Sequence, residues 1–182
     1  MNFLWRSESH FNFANLITMG NITCGLLAMY FITQNQFIPA AILAWIGGGF
    51  DIFDGKIVRK YNLSNEFGVQ LDSFADFLSF VLVPTFFIFQ SVFHSLSNIS
   101  LLFAALTSIY YVISGLRRLI HFNITTSAGE VSKYFIGIPT PLGAILLWII
   151  WLGSGYIHWV VVMFLMLSIG ILLNSKVKIP HL

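Results

Sequence analysis

Six apolar runs recur along this chain of 182 residues, at Asn15–Thr33, Phe37–Val58, Phe67–Phe93, Ile99–Ile120, Phe135–Leu152 and Tyr156–Leu173. Each is near the ~17–25 residues that a helix needs to cross a bilayer. A segment surrounded by lipid must satisfy its own backbone hydrogen bonds, which runs of this length do as helices. The pattern predicts an all-α integral membrane protein, a bundle of six transmembrane helices. The short connections leave no room for a soluble domain, so residues 1–182 are expected to form one membrane domain. No small-residue cleavage pattern follows the first run, which is expected to remain as a helix and not to be removed as a signal peptide. Composition agrees: 57% of residues are hydrophobic and 9% charged, beyond ordinary globular usage.

Charge supplies orientation. The basic residues are Arg6, Lys56, Arg59, Lys60, Arg117, Arg118, Lys133, Lys176 and Lys178, and with six helices all of them fall on one side. The opposite connections, around "TQNQ", "HSLSNIS" and "GSGY", carry no Lys, Arg, Asp or Glu. The positive-inside rule then predicts that both termini are cytoplasmic. Basic residues beside apolar helices favour anionic head groups, so membrane lipids are the expected partners and the net charge of +2 gives no case for nucleic acid. Trp148, Trp151, Tyr156 and Trp159 flank an outer turn and are expected to anchor at the interface. Cys24 is the single cysteine, which excludes an intramolecular disulfide and fits a buried small apolar residue.

Against this background the stretch "FDIFDGKIVRKYNLSNEFGVQLDSFADFLSF" stands out, because it holds Asp51, Asp54, Asp72 and Asp76 within or beside apolar runs. A charge at membrane depth costs at least ~2.5–3.5 kcal/mol, so each acid requires a reason. On the second helix Asp51, Asp54, Gly55 and Arg59 fall at about 0°, −60°, 40° and 80°, one broad face. On the third, Gly68, Asp72 and Asp76 repeat every four residues and form one stripe. The short Asn- and Ser-containing link between these helices makes them antiparallel neighbours. Asp54 and Asp72 then lie about one turn from the cytoplasmic end, with Asp51 and Asp76 about two. Four carboxylates at such spacing cannot all be ionised unless protons or cations compensate. Oxygen donors select a hard cation such as Mg²⁺, Mn²⁺ or Ca²⁺, and the lack of His or Cys among them disfavours zinc. The bland alternative is an interhelical ion-pair network with Arg59 or Lys56. Gly55 and Gly68 share the acid-bearing faces and admit a ligand or a neighbouring helix, and Gly47–Gly49 are expected to serve helix packing.

The pattern Asp51-x2-Asp54-Gly55-x2-Val58-Arg59-x8-Gly68-x3-Asp72-x3-Asp76 resembles the signature of the CDP-alcohol phosphotransferases, integral membrane enzymes that move a phospho-alcohol from a CDP carrier to a hydroxyl. Val58 departs from it, standing where alanine is usual. "NLITMGNITCGLLA", "SGLRRLIHFNI", "FIGIPTPLGA" and "NSKVKIPH" are similar to one branch, the bacterial and archaeal phosphatidylserine synthases. The resemblance implies Asp51, Asp54, Asp72 and Asp76 as ligands of two divalent cations, Mg²⁺ or Mn²⁺, with Asp76 also the general base. It implies that Gly55 and Arg59 lie against the CMP moiety. CDP-diacylglycerol or an ether-lipid analogue and L-serine are the implied substrates, and a homodimer the implied assembly.

Other residues carry two readings each. Gly68 admits either the nucleotide or a packed helix. Asn15 and Thr18 open the first helix, where they either cap it or contact the nucleotide. Arg117 and Arg118 are positive-inside anchors or hold the lipid phosphate or the serine carboxylate. His121 is expected as a polar interface residue, Glu66 and Glu130 as solvated loop charges, Pro139 and Pro141 at the start of the fifth helix, and Pro84 as a kink in the third. Glycerol phosphate or inositol phosphate is the alternative acceptor within the same chemistry. An ion or proton carrier lined by the acids is the alternative of another class, although such carriers need access from both faces, and a purely structural membrane protein is the remaining one.

Overall fold

The computed structural model describes residues 3–5, 7, 9–127, 134–175 and 178–180. Arg6, Glu130, Lys133 and Lys176 lie outside them, and so do the side chains of Lys178 and its strand neighbours. A 3₁₀ turn, Phe3–Trp5, precedes helices α1 (Phe13–Thr33), α2 (Phe37–Tyr61), α3 (Glu66–Phe93), α4 (Asn98–Ser127), α5 (Thr140–Gly153) and α6 (Trp159–Leu173). The first four are long and apolar enough to cross a membrane; α5 and α6, at 14 and 15 residues, are shorter apolar helices. Several large apolar side chains on these helices face outward, among them Ile38, Trp45, Ile99, Ile149 and Phe164. This is the surface of a multi-pass membrane protein, in which lipid takes the place of water.

Local chemistry sets the helix ends. Asn12 caps α1, its side chain accepting from Asn15 N at 2.9 Å. Capping therefore falls to Asn12, and Asn15 and Thr18 stand inside the helix with their side chains free for other bonds. Asn62, in the left-handed conformation, closes α2, and Asn65 opens α3 by accepting from Gly68 N at 2.6 Å. Asparagine tolerates that conformation better than most residues, so "YNLSN" reverses the chain without glycine. Helix α3 changes register along its length: α-helical over Glu66–Asp76, π-helical over Phe77–Leu82, α-helical over Val83–Ile88 and π-helical over Phe89–Phe93. Pro84 cannot donate to the preceding turn, and the wider π turn lies immediately before it, where the sequence predicted a kink.

The fifth apolar run does not begin a helix at Phe135. Tyr134–Ile136 is instead a strand, β1, paired antiparallel with β2 (Lys178–Pro180) in the register Phe135↔Ile179. Helix α5 starts at Thr140 with Pro139 as its cap residue and a proline in its first turn. The break has a local cause. Gly137 holds φ at 80°, and a Cβ there would lie 2.5 Å from Leu173 O. Gly137→Ala is therefore expected to lose at least ~1–3 kcal/mol of stability from backbone strain, read as a lowered thermal unfolding temperature in detergent.

The chain packs as two units, Met1–Ser79 and Phe80–Leu182. In the first, α1 lies along α2 through small buried residues, Ala28, Ala40, Ala44 and Gly47, which let the backbones approach closely. Gly47 thus serves packing, whereas a Cβ at Gly49 would meet nothing within 4 Å. In the second unit, Gly115 seats Val81 and Gly170 seats Tyr110. Trp148 corrects the interfacial expectation. It is 8% exposed and meets the Phe87 ring edge-on at 4.7 Å, with Trp151 against the same ring at 4.8 Å. Tyr156 remains at the surface, 95% exposed.

Candidate active site

Three helices of the first unit carry the acids and the groups around them. Asp51, Asp72 and Asp76 each direct a carboxylate oxygen into a cluster in which these atoms lie within 4.8 Å of one another. The antiparallel α2–α3 pairing thus brings the two stripes face to face, as their spacing requires. Asp54 stands outside this triad. It is 3% exposed, and its Oδ2 accepts a 2.5 Å hydrogen bond from Thr18 Oγ1 of α1. Among the described residues, neither Arg59 nor Lys56 pairs with the acids, and Arg59 is exposed. The expected network with Arg59 or Lys56 is thus not formed among the described residues.

Beside the acids lies a cavity of about 210 Å³ whose lining includes Asn15, Thr18, Asp54, Gly55, Arg59, Gly68 and Asp72. A Cβ on Gly55 would meet only Arg59 Nη2, at 3.9 Å, so Gly55 borders open space. Gly68 differs: a Cβ there would come within 2.6 Å of Asn15 Oδ1 and 3.1 Å of Asn65 Oδ1. Gly68 is thus where α3 closes on α1. Gly68→Ala is expected to cost ~1–3 kcal/mol through overpacking, measured by thermal unfolding. Val58, the departure from the signature, also lines the cavity.

Apart from Asn15, the residues that fasten this end of the unit are not among the site residues that the sequence points to. Asn65 Nδ2 donates to Ser7 O and to Ser9 O, Asn12 Nδ2 to Leu63 O at 3.1 Å, and Asn15 Nδ2 to His10 O at 3.0 Å. The His10 ring stacks on Phe67 at 4.7 Å. These bonds tie the segment before α1 to the α2–α3 turn, which supplies one wall of the cavity. The available signal was the position of Asn12 and Asn65, each three residues before a helix N–H that it caps.

Arg117 and Arg118 belong to the second unit. Arg117 is exposed; Arg118 is 6% exposed, and its Nε donates to Ile138 O at 3.2 Å. His121 is exposed on the same helix.

The donor set suits a hard divalent cation. Three carboxylates converge, no imidazole or thiol joins them among the described residues, and oxygen-only sites favour Mg²⁺, Mn²⁺ or Ca²⁺ over zinc.

Residues 11–171, which include the four acids and the cavity residues, match the family described as CDP-alcohol phosphatidyltransferase. The chain is similar to the CDP-diacylglycerol–serine O-phosphatidyltransferase of Bacillus subtilis (strain 168), at 35% identity over 91% of this chain and 88% of that protein. It is 32% identical to the protein of the same name from Methanocaldococcus jannaschii, over 92% of this chain and 73% of that one. The archaetidylserine synthase of Methanothermobacter thermautotrophicus is 28% identical over 92% of this chain and 69% of its own length.

Proposed function

The chain belongs to the CDP-alcohol phosphatidyltransferase family, and from that premise we propose that it transfers the phosphatidyl group of a CDP-activated lipid to the hydroxyl of L-serine. The products are CMP and phosphatidylserine, or archaetidylserine when the lipid is an ether. The observation that carries this reading is the Asp51–Asp72–Asp76 cluster beside a cavity walled by Asp54, Gly55 and Arg59. Relatives named for serine transfer support serine over glycerol phosphate or inositol phosphate.

Each residue has a task in this chemistry. Asp76 takes the proton of the serine hydroxyl as its oxygen attacks the phosphorus, because an un-ionised hydroxyl is a poor nucleophile. The new bond joins serine oxygen to the lipid phosphate, and the bond to the CMP phosphate breaks. Asp51, Asp54, Asp72 and Asp76 would hold a pair of Mg²⁺ or Mn²⁺ ions, which would supply the positive charge that neutralises the diphosphate and stabilises CMP as leaving group. Thr18 keeps Asp54 oriented through its hydrogen bond. Asn15, Thr18, Gly55, Arg59 and Gly68 form the nucleotide seat, with Gly55 leaving room for the ligand. Arg117 and Arg118 bind the lipid phosphate or the serine carboxylate.

The whole chain acts as one catalytic domain, with six membrane-crossing helices and with both termini and the cleft on the cytoplasmic side. One-sided placement of every Lys and Arg supports that orientation. A homodimer is the proposed assembly. Gly55→Val, which would push a side chain into the cavity, is expected to raise the KM for the CDP-activated lipid while leaving thermal unfolding unchanged.

The test is CMP release by the purified protein in detergent, given a CDP-activated lipid, Mg²⁺ or Mn²⁺, and L-serine, glycerol 3-phosphate or inositol phosphate in parallel. Release that depends on serine supports the proposal. Release with another acceptor overturns the serine assignment, and release with none would return the acids to an ion-carrier role.

A further inference from the structure

One turn deeper than the carboxylates lies a polar pair with no part in the chemistry above. Asn21 of α1 is fully buried and stands three residues, about 4.5 Å along the helix axis, beyond Thr18. Its Oδ1 accepts a 2.6 Å hydrogen bond from Ser79 Oγ. Ser79 is itself buried and follows Asp76 by three residues, within the π-helical stretch of α3. The same Oδ1 sits against Gly47 of α2, where a Cβ would lie 2.9 Å away, and Gly47 precedes Asp51 by four residues. One carboxamide of α1 therefore reaches both α2 and α3 a turn below the acids that those two helices carry.

Its other end is unanswered: Asn21 Nδ2 is buried and has no acceptor among the described residues. Leaving a buried donor unmet costs ~1–3 kcal/mol, which an apolar side chain here would avoid. Asp51 follows Gly47 by four residues and Asp76 precedes Ser79 by three, so the nearest turn of each helix toward the cavity carries a carboxylate, an acceptor for an N–H.

We propose that Asn21 and Ser79 are positioning residues for the acid cluster. The Ser79–Asn21 bond sets the rotation of α3 where its register changes, just after Asp76, and Asn21 Nδ2 is held in reserve as a donor to the Asp51–Asp76 layer. This rests on the proposed role of the acids, and the test separates the two.

Four variants are compared in detergent: Ser79→Ala, Ser79→Thr, the double variant Asn21→Leu with Ser79→Ala, and Asp76→Asn as reference. For each, Mn²⁺ binding without substrate is followed by electron paramagnetic resonance, alongside thermal unfolding, kcat for serine-dependent CMP release and the KM for the CDP-activated lipid. Replacing both polar partners by apolar groups of similar size is expected to leave thermal unfolding unchanged or raised. Mn²⁺ affinity and kcat are nonetheless expected to fall by ~10–100-fold, the usual effect of losing a residue that orients metal ligands, with KM for the lipid unchanged. Ser79→Thr, which keeps the hydroxyl, is expected to retain both. A double variant that binds Mn²⁺ and turns over like the parent overturns the proposal; should it not fold, a Ser79→Ala protein with parental affinity and kcat does so instead. If Asp76→Asn also keeps parental affinity and turnover, the reading of the acids falls, and this inference with it.

Discussion

Asp76→Asn is expected to lower kcat for serine-dependent CMP release by ~10²–10⁴-fold, the range for losing a positioned general base. The KM for the CDP-activated lipid should change little, because the proposed nucleotide seat of Asn15, Thr18, Gly55, Arg59 and Gly68 does not include Asp76. The amide is close in shape to the carboxylate but cannot take the serine proton. Folding should not suffer: removing one charge from three carboxylates clustered within 4.8 Å relieves repulsion, so thermal unfolding is expected to stay level or rise. Mn²⁺ titration of the variant separates two roles. A deficit that persists at saturating Mn²⁺ marks Asp76 as the base, and one that saturating Mn²⁺ erases marks it as a ligand alone. A loss of less than tenfold would remove Asp76 from the chemistry.

Stripping divalent cations with a chelator is expected to reduce turnover by at least ~10³-fold, since several kcal/mol of charge stabilisation are lost and each 1.36 kcal/mol is a factor of ten. Mg²⁺ or Mn²⁺ should restore it, and Zn²⁺ should not, because no nitrogen or sulfur donor stands in the cluster. The folded state should respond as well. A cation that binds only the native protein stabilises it by about 2.7 kcal/mol at a hundred times its Kd, so the unfolding temperature should climb with Mg²⁺. Asp72→Ala should blunt that climb. Full turnover after chelation would exclude the metal reading.

Much of the first unit could be read from residue order. The i, i+4, i+8 stripe of Gly68, Asp72 and Asp76 and the face of Asp51, Gly55 and Arg59 follow from helical period alone, and an antiparallel turn makes them meet. The same arithmetic did not separate Asp54 from the triad, since its partner, Thr18, sits 36 residues away on another helix. Asn15 and Thr18 could be read as caps because the true cap, Asn12, lies only three residues earlier. The fifth apolar run reaches back to Phe135 in hydropathy alone, which is blind to a β pairing with a segment more than forty residues downstream.

Residue order suffices for the first four helices, their apolar outer faces and the acids' places around each axis, because these depend on local period and on the cost of unsatisfied backbone in lipid. It also carried the signature by which the family is recognised. Packing between helices settles which carboxylate leans on α1, that Gly68 closes on Asn15 while Gly55 stays open, that Trp148 turns inward to Phe87, and that Asn21 and Ser79 join below the acids. The reason is geometric: period sets a side chain's angle about its own helix, whereas its partner depends on which helix crosses there and how each is rotated, and α3 alters that rotation through its π turns.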